Sequence, residues 1–526
     1  MLPRASNLPM KKYLLFTVFI SGLTSLAVEM AASRLMGNYF GSSNLVWASI
    51  IGLILIYLTV GYFIGGSWAD RSPRYGTLYR ILAWAGLSVA VIPAISRPVL
   101  RWAADAFDAM QLGVLFGSFV AVMILFVIPI ILLGTSSPFA IRLAIQNNNE
   151  AGRISGKIYA ISTLGSFIGT FIPVLLLIPT VGTYRTFLIH GAVLLVFALI
   201  GLKLEDGWKA LLPLSWMPIV VIILFFTMNI GRDKNSVGMI YETESAYNYI
   251  QVLEQDGFHM LRLNDGQGVH SMYHPTIYNY AGPWEQVLVA PFFNPAPVEV
   301  AGINSMAIVG LAAGTTARQA IKVYPNISID GFEIDPEIVK VGNTYFGMNL
   351  PQLHVFVQDG RWGLAHSGRK YQVISVDAYR PPYIPWHLTT REFFQTVHDH
   401  LTEDGVMVIN IGRAPDDRRL INSLASTIRT DFASIHVMDL PGTFNSILFA
   451  SVKPTNAENL AANFDQLLAS GNTDPLLLET MNVTLGNLQK DPPEAQVFTD
   501  DLAPVEGLTN NMILKFLLAG DVEMLQ

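Results

Sequence analysis

The sequence predicts three parts in order: an α-helical multi-span membrane domain, a small β-domain and a larger α/β domain. Of the 526 residues, 51% are hydrophobic and only 14% are charged, whereas about 25% charged residues are usual in soluble proteins. Residues 1–235 hold 17 Lys and Arg against 8 Asp and Glu, and the rest holds 16 against 32. After about residue 305, apolar strands alternate with helical stretches, which predicts a parallel sheet covered on both faces. This composition excludes a purely soluble enzyme.

Seven apolar stretches of the basic half are long enough to cross a bilayer, which takes about 20 residues. The first is followed by further spans and not by a small-residue cleavage site, so we interpret it as a retained helix and not as a signal peptide. The predicted spans are 13–34, 44–67, 79–99, 112–134, 157–180, 186–203 and 210–230.

Three polar residues of this half are candidate functional residues. Glu29 lies deep in the first span, where a carboxylate either forms a proton or cation site or pairs with a neighbouring helix. The turn Gly65–Arg71, which ends in Asp70 and Arg71, resembles the Gly-x-x-x-Asp-Arg loop of major-facilitator transporters. Seven spans are too few for the fold of that family. We therefore favour anchoring, or delivery of a lipophilic substrate, over transport.

In the acidic half, a turn of small residues follows the first strand of the predicted parallel sheet. This strand, 306–309, runs into the turn Gly310–Gly314, which opens a helix. Such a turn lets a ligand approach the backbone and the helix N-terminus. The second strand, 327–332, ends in Glu333, about 20 residues after the turn, where a carboxylate can bind ribose hydroxyls. Together the two features predict nucleoside binding.

Two further strand ends carry acidic residues. A third strand ends in Asp359 and Gly360, and a fourth, 371–376, delivers Asp377. Because ligands of open α/β sheets bind outside the carboxyl ends of the strands, we expect one site at this edge. A fifth strand at 405–410 and a last pair near 434–451 complete a sheet of seven strands.

The run from 240 to 451 resembles the polyamine aminopropyltransferases, which are the spermidine synthase family. The resemblance covers roughly 40% of the chain, and the whole layout is similar to membrane-fused bacterial members with an N-terminal multi-span domain. It implies a class I methyltransferase-like (Rossmann-like) fold and a homodimer. The motifs that carry it are the glycine turn, Glu333-Ile334-Asp335-Pro336, Asp359-Gly360, Tyr371–Asp377 and Leu388–Phe394.

The resemblance also implies residue roles. In the family, the residue at Glu333 holds the ribose of decarboxylated S-adenosylmethionine, the residue at Asp359 contacts adenine, and the residue at Asp377 accepts the proton of the attacking amine. A carboxylate within hydrogen-bond reach of the amine suits that last role. The implied nucleoside site is completed by Gly310, Gly314, Gly360 and Asn248.

The sequence departs from the family at the acceptor end. Ala313 replaces an Asp that binds the amine, and Arg380 replaces a second carboxylate after Asp377. Tyr247-Asn248 stands for Tyr-Gln, and Pro283-Trp284-Glu285 for Tyr-His-Glu. A buried unpaired ammonium costs several kcal/mol, so a diamine dication needs carboxylates at both ends. These departures argue against an ordinary diamine pocket.

We assign the acceptor end to Tyr379, Arg380, Trp284 and Glu285. The two aromatic residues either wall a pocket for a cation or adenine, or pack in the core or rim. The guanidinium of Arg380 either binds a substrate carboxylate or phosphate, or pairs with Glu392. A substitute carboxylate could come from Asp265, Glu285 or the acidic stretch 499–506, although such a stretch is more often a solvated loop.

Other ligand classes are not expected. The chain has no cysteine, which excludes disulfides, thiolate metal sites and a Cys nucleophile. The acidic half is a poor nucleic-acid binder. His398 and His400 do not share a helix face, so we interpret them, with His387, as surface residues and expect no metal site. We also expect no tightly bound cofactor.

The favoured function is therefore a membrane-anchored spermidine synthase-like aminopropyltransferase that uses decarboxylated S-adenosylmethionine and an amine acceptor, with Asp377 as general base. One alternative is an S-adenosylmethionine-dependent methyltransferase that acts on a membrane-presented substrate. Another is a transporter or sensor with a non-catalytic polyamine- or nucleoside-binding domain. The predicted domains are 1–235 (membrane), 236–300 (small β), 301–455 (Rossmann-like) and 456–526 (a helical or loop extension).

We expect a multi-pass protein of the cell (inner) membrane. Basic loop residues place the N-terminus in the cytoplasm, and an odd number of spans then places the acidic half outside. The co-substrate that the family implies is expected in the cytoplasm instead. The two arguments disagree, and the cytoplasmic side is favoured.

Overall fold

The computed structural model describes residues 8–40, 44–109, 113–145, 148–227, 236–264, 268–379 and 383–519. It divides into two compact units. Unit 1 comprises residues 1–235 and 244–246, and unit 2 comprises residues 236–243 and 247–526.

Unit 1 is helical, as its long apolar runs predict. Two irregular segments, a π-helical turn at Pro173–Leu177 and a 3₁₀ segment at Trp208–Leu214, interrupt the α-helices. The α-helices are α1 Leu8–Phe40, α2 Asn44–Arg71, α3 Tyr75–Ala109, α4 Gly113–Gly134, α5 Ser136–Ala144, α6 Ala151–Ile172, α7 Ile178–Asp206 and α8 Trp216–Thr227.

Within the described residues, five helical segments are long and apolar enough to cross a membrane, or six if the bent pair Trp208–Leu214 and Trp216–Thr227 counts as one span. The longest, Ala151–Asp206, has 56 residues, and a straight helix of that length would be more than twice as long as the ~30 Å hydrocarbon core is thick. The backbone leaves the helical region at Gly182, with φ 83° and ψ 167°. Two of the seven predicted spans, 157–180 and 186–203, therefore lie in this one segment, on either side of Gly182.

Glycines let the helices of unit 1 approach closely. A Cβ added to Gly165 of α6 would lie 2.1 Å from the carbonyl oxygen of Phe19 in α1, and one added to Gly169 would lie 2.1 Å from that of Leu23. The pairing of 165 with 19 and of 169 with 23 also makes α6 parallel to α1. Small residues at such contacts are typical of helices that associate in a bilayer, where van der Waals packing replaces the hydrophobic effect.

Unit 2 contains a four-stranded sheet in the order β1-β2-β3-β4, counted in the described residues, except that Glu244, the last residue of β1, is counted with unit 1. The strands pair antiparallel from β2 to β4. Their apolar side chains share a core with the α/β part, for instance Ile250 and Leu261 with Ala313 and Ile338. The predicted strands are thus present, but they belong to the same compact unit as the larger sheet. The strands are β1 Met239–Glu244, β2 Tyr249–Gln255, β3 Phe258–Leu263 and β4 Val269–Tyr273.

The larger sheet has seven strands in the described residues, in the order β10-β11-β9-β8-β5-β6-β7. Strands β5 to β9 are parallel, and β11 is antiparallel to both of its neighbours. The Rossmann-like α/β fold expected from the sequence is confirmed. The strands are β5 Ser305–Val309, β6 Ser328–Glu333, β7 Leu353–Val357, β8 Tyr371–Val376, β9 Leu401–Gly412, β10 Ser434–Asp439 and β11 Asn445–Ser451.

Helices cover both faces of this sheet. Successive strand residues alternate between two cores, so that Met306 and Ile308 of β5 lie in one and Ala307 and Val309 in the other. The helices are α9 Pro283–Gln286, α10 Thr315–Val323, α11 Pro336–Tyr345, α12 Gly360–Ala365, α13 Arg391–Asp399, α14 Arg419–Ile428, α15 Ala457–Ser470, α16 Pro475–Asn487 and α17 Val505–Ala519.

The close contact between α1 and α6 predicts an asymmetric response to Gly→Ala substitutions. Gly165→Ala should destabilise unit 1 by about 1–3 kcal/mol, because the added methyl group forces two helix backbones apart. Gly52→Ala in α2 meets nothing within 4 Å and should be neutral or stabilising, because Ala favours a helix by about 1 kcal/mol over Gly. Thermal unfolding of the detergent-solubilised protein measures both changes. Equal effects of the two substitutions would contradict the packing described.

Candidate functional site

The carboxyl ends of β5, β6 and β8 lie side by side in unit 2, because the register pairs Val309 with both Phe332 and Val376. We call this border of the sheet the carboxyl edge. The glycine turn follows β5, Glu333 is the last residue of β6, and Asp377 follows β8. The sheet thus brings together the residues that the sequence predicts to form one site.

The glycine turn has two positions, 310 and 314, whose backbone conformation favours glycine. Gly310 has φ 89°, and a Cβ there would lie 2.6 Å from the carbonyl oxygen of Asp377. Gly314 has φ 83° and caps the N-terminus of α10. Both φ angles lie in the left-handed region, which favours glycine. The turn therefore passes close to the end of β8 and points the N-terminus of α10 at the carboxyl edge.

Glu333 holds the glycine turn against the end of β6 by a hydrogen bond. Its carboxylate accepts the backbone N–H of Ala312 at 2.9 Å and that of Asp335 at 3.0 Å. Ala312 has φ 49°, a conformation that costs an alanine about 1 kcal/mol or more. Burial raises the pKa of Glu333 to about 7, although its backbone hydrogen bonds oppose this shift. The carboxyl group is thus prearranged beside the turn, with lone pairs left for a ligand hydroxyl.

Asn248 reaches the same corner from the four-stranded sheet. Its side-chain N–H donates to Asp335 at 2.9 Å, and its carbonyl oxygen accepts from Asn264 at 2.9 Å. Asp335 also caps α11 by accepting the N–H of Glu337. Asn248 therefore ties the smaller sheet to the loop that follows Glu333.

Asp359 and Gly360 form the start of α12. Asp359 accepts the N–H of Trp362 at 2.9 Å, and its second oxygen lies 3.2 Å from Nε2 of His387. The hydrogen bond from His387 is the main reason that the pKa of Asp359 is lowered. A Cβ at Gly360 would lie 2.6 Å from Cγ1 of Val309 at the end of β5. Asp359 is thus a charged acceptor at this border of the sheet.

Asp377 follows β8 and lies in a partly closed environment. Desolvation raises the pKa of its carboxyl to about 6, and the side-chain amide of Asn410, which donates to it at 3.0 Å, lowers it. Asn410 is held in turn by Tyr379, whose hydroxyl donates to the Asn410 carbonyl at 3.0 Å and accepts the Gly412 N–H at 2.8 Å. A carboxyl group with this pKa is half ionised near pH 6, which suits a general base at neutral pH.

Ala313 stands at a position where the resemblance implies a carboxylate of the acceptor end. Ala313 is buried in an apolar cluster, and its N–H donates to the Ser271 hydroxyl at 2.9 Å. Arg380 and Asp265 lie outside the described residues. Asp500 from the acidic stretch is neutralised by two 2.7 Å hydrogen bonds from Arg361. None of the described hydrogen bonds or ion pairs of Asp500 is with Asp377.

Trp284 and Glu285 lie in the short helix α9 and are buried. The Glu285 carboxylate accepts the backbone N–H groups of Tyr280 and Gly282, and the Trp284 ring packs edge-on against that of Tyr280. Among the described contacts, neither residue touches Asp377. No described contact of Trp284 or Glu285 supports the role at the acceptor end that the sequence predicts, and that role stays a prediction.

The three candidate residues of unit 1 have separate environments. Asp70 pairs with Arg142 at 2.9 Å, and Arg71 is exposed at the end of α2. Glu29 is half-buried in α1 and forms no ion pair with another described residue. The Asp70–Arg142 pair fixes the end of α2 to α5.

Two residues that the sequence does not predict contact the carboxyl edge, namely Asn410 and His387. Asn410 is the last residue of the predicted fifth strand, and its position at a strand end was the available signal. His387 was interpreted as a surface residue, yet it faces Asp359. His387 and Asp359 are separated by 28 positions in the sequence, and only the fold of the chain brings their side chains together.

The site therefore offers a turn with a helix N-terminus, an uncharged or charged Glu333, a charged Asp359 and a titratable Asp377. These groups can bind the hydroxyls and base of a nucleoside and remove a proton near it. Within the described residues, no group of three His, Cys, Asp or Glu side chains could hold a metal ion.

Comparison with known proteins agrees with this geometry. The family model of the spermine/spermidine synthase domain matches residues 297–459. A probable polyamine aminopropyl transferase from Bifidobacterium longum is 33% identical over 285 residues, which cover 51% of this chain and 62% of that protein. A polyamine aminopropyltransferase from Vibrio vulnificus is 26% identical over 306 residues, which cover 54% of this chain and 97% of that protein.

A third relative matches along both units. Polyamine aminopropyltransferase 2 from Aquifex aeolicus is 22% identical over 459 residues, which cover 84% of this chain and 88% of that protein. The matched family domain includes all seven strands of the larger sheet and the residues Glu333, Asp359 and Asp377. Residues 297–459 of the chain are therefore similar to the spermine/spermidine synthase domain, and the relatives that match it are named as polyamine aminopropyltransferases, which are transferases.

Proposed function

We propose that this protein is a membrane-anchored aminopropyltransferase that uses decarboxylated S-adenosylmethionine and an amine acceptor. The observation that carries the proposal is that Glu333, Asp359 and Asp377 meet at one edge of a sheet inside the matched spermine/spermidine synthase domain. The names of the Bifidobacterium and Vibrio relatives support the same reaction class.

The nucleoside end is assigned to the glycine turn, Glu333 and Asp359. In this assignment, ribose hydroxyls donate to Glu333, which lies beside the turn. The adenine amino group donates to Asp359, whose carboxylate exchanges its contact with His387 for the base. Gly310, Gly314 and Gly360 are required by the packing around the turn and the start of α12, because a Cβ at each would lie within 3 Å of neighbouring protein atoms.

Asp377 is assigned as the general base. The amine nitrogen attacks the aminopropyl carbon next to the sulfonium sulfur, a new C–N bond forms, and the C–S bond breaks. Its electron pair stays with sulfur, and methylthioadenosine leaves. The proton lost by the amine passes to Asp377, whose pKa of about 6 keeps most of it ionised at neutral pH.

The acceptor is proposed to differ from an ordinary diamine. Ala313 faces an apolar cluster where the family implies a carboxylate, and Asp500 is neutralised by Arg361. A second ammonium group would therefore lack a counter-charge at these positions, which is costly in a buried site. Tyr379 lies beside Asp377 and is assigned to the wall of the acceptor pocket; Arg380, Trp284 and Glu285 keep the roles expected from the sequence.

Membrane anchoring is assigned to unit 1. Five long apolar helical segments and the glycine contacts between α1 and α6 support insertion in a bilayer. The alternatives of methyl transfer to a membrane-presented substrate, and of transport or sensing without chemistry, are not favoured by the family match. A homodimer stays a proposal from the family resemblance.

Replacement of Asp377 tests the base. Asp377→Asn should abolish turnover and leave nucleoside affinity unchanged, because the amide keeps the shape of the side chain and cannot accept the proton. Asp399→Asn, at an exposed carboxylate of α13, is the matched control and should keep full activity. Turnover is measured as release of methylthioadenosine. Full activity of Asp377→Asn would remove Asp377 from the mechanism.

The pH dependence tests the same assignment through Asn410. Because the base must be ionised, the wild-type rate should fall as the pH drops through about 6. Asn410→Ala removes a hydrogen bond that favours the ionised form, so the acid limb of the rate profile should move to higher pH while nucleoside affinity stays the same. An unchanged acid limb would contradict the role of Asn410 as a positioning residue of Asp377.

Replacement of Glu333 tests its assignment to the nucleoside end of the site. Glu333→Gln should weaken binding of methylthioadenosine about tenfold to a hundredfold, because a hydrogen bond to a charged group contributes about 1.5–3 kcal/mol. Glu337→Gln, four residues further along and partly exposed, is the control. Calorimetry on the detergent-solubilised full chain measures the affinities, and thermal unfolding checks that both variants are folded. Equal affinity in the two variants would place the ribose elsewhere.

A further inference from the structure

Basic side chains are concentrated at one end of the helices of unit 1. Contacts identify this end: Arg142 pairs with Asp70 at the end of α2, and Arg80 near the start of α3 pairs with Asp206 at the end of α7. We call it the basic end. Among the described residues it carries Lys11, Lys12, Arg71, Arg74, Arg80, Arg142, Arg153, Lys157, Lys203 and Lys209.

The opposite end, which we call the far end, carries fewer basic residues. It contains the end of α1, the end of α3 and the start of α7 after Gly182, where the guanidinium of Arg97 lies 4.9 Å from the ring of Tyr184. Its basic residues within the described part of the chain are Arg34, Arg97, Arg101 and Arg185. The excess of Lys and Arg marks the basic end as cytoplasmic in a membrane protein.

The last helix of unit 1 runs away from the basic end. The ring of Trp216, at the start of α8, lies 5.8 Å from that of Trp84 in α3. The ring of Phe225, near the end of α8, lies 5.8 Å from the guanidinium of Arg185 at the far end. Helix α8 thus proceeds antiparallel to α7, and Thr227 lies at the far end.

A second observation within unit 1 agrees with the direction of α8. Glu244, which belongs to this unit, pairs with Arg34 at 3.0 Å and accepts the hydroxyl of Thr183 at 2.6 Å. Arg34 and Thr183 both lie at the far end. The chain is therefore at the far end both where α8 ends and at residue 244. Among the described residues after 246, no helix is long and apolar enough to return across a bilayer.

From these directions we infer that the nucleoside and amine site faces the non-cytoplasmic side of the membrane, and that it takes its substrates on that side. The inference rests on the insertion of unit 1 in a bilayer, which is part of the proposed function. It contradicts the expectation from the co-substrate, which favoured a site on the cytoplasmic side.

A site on the non-cytoplasmic side needs a supply of substrates on that side. A sulfonium nucleoside and an ammonium substrate are cations, and a charge at the centre of a bilayer is costly. They do not diffuse through the ~30 Å hydrocarbon core unaided. The reaction must therefore be fed by a transporter, or by a reaction on the same side of the membrane that releases an amine.

The absence of cysteine from the natural chain allows a direct test. Ser470→Cys places one thiol on the exposed end of α15 in unit 2, and Gly152→Cys places one on the exposed start of α6 at the basic end, where an added Cβ meets nothing within 4 Å. Each full-length variant is treated with a membrane-impermeant maleimide, first in spheroplasts and then after permeabilisation. The unsubstituted protein is the background control.

The inference predicts that Ser470→Cys reacts in spheroplasts as completely as after permeabilisation, and that Gly152→Cys reacts only after permeabilisation. Protection of Ser470→Cys in spheroplasts, or reaction of both variants there, would overturn it. Reaction after permeabilisation shows that each variant is made and accessible. Labelling does not depend on turnover, so a failed inference is distinguished from a failed enzyme assignment by the methylthioadenosine assay. Recovery of the chain in the soluble fraction would instead overturn membrane insertion.

Discussion

The hydrogen bond from the Ala312 N–H to the Glu333 carboxylate determines how the rest of the site is arranged. It holds an alanine at φ 49° in the glycine turn and fixes the end of β6 against the end of β5. The same carboxylate accepts the N–H of Asp335, which in turn receives Asn248 from the smaller sheet. One buried carboxylate thus connects two strand ends and a second sheet, and it leaves the turn open for a ligand.

The two other carboxylates of the edge have opposite electrostatic surroundings. A hydrogen bond from His387 lowers the pKa of Asp359, whereas desolvation raises that of Asp377 to about 6. Groups whose pKa values are moved apart in one site are typical of a division between binding and proton transfer. This division supports the assignment of Asp359 to the nucleoside and of Asp377 to the amine.

The number of strands in the larger sheet and the positions of Glu333, Asp359 and Asp377 at strand ends could be predicted, because strand ends follow directly from apolar periodicity. The loop after β8 could not, since His387 reaches Asp359 only through a fold that joins distant segments. The roles expected of Trp284 and Glu285 at the acceptor end stay predictions, because their described contacts lie in and beside α9. The break between the predicted spans 157–180 and 186–203 lies at Gly182, where the backbone leaves the helical region.

The central claim is that the carboxyl edge transfers an aminopropyl group to an amine. Its most direct test is mass spectrometric detection of products from the full chain in detergent, supplied with decarboxylated S-adenosylmethionine and a panel of amines that includes monoamines with apolar tails. The account predicts amine-dependent release of methylthioadenosine and an acceptor heavier by one aminopropyl group. Formation of S-adenosylhomocysteine and a methylated acceptor from S-adenosylmethionine, with no methylthioadenosine from the decarboxylated form, would contradict it.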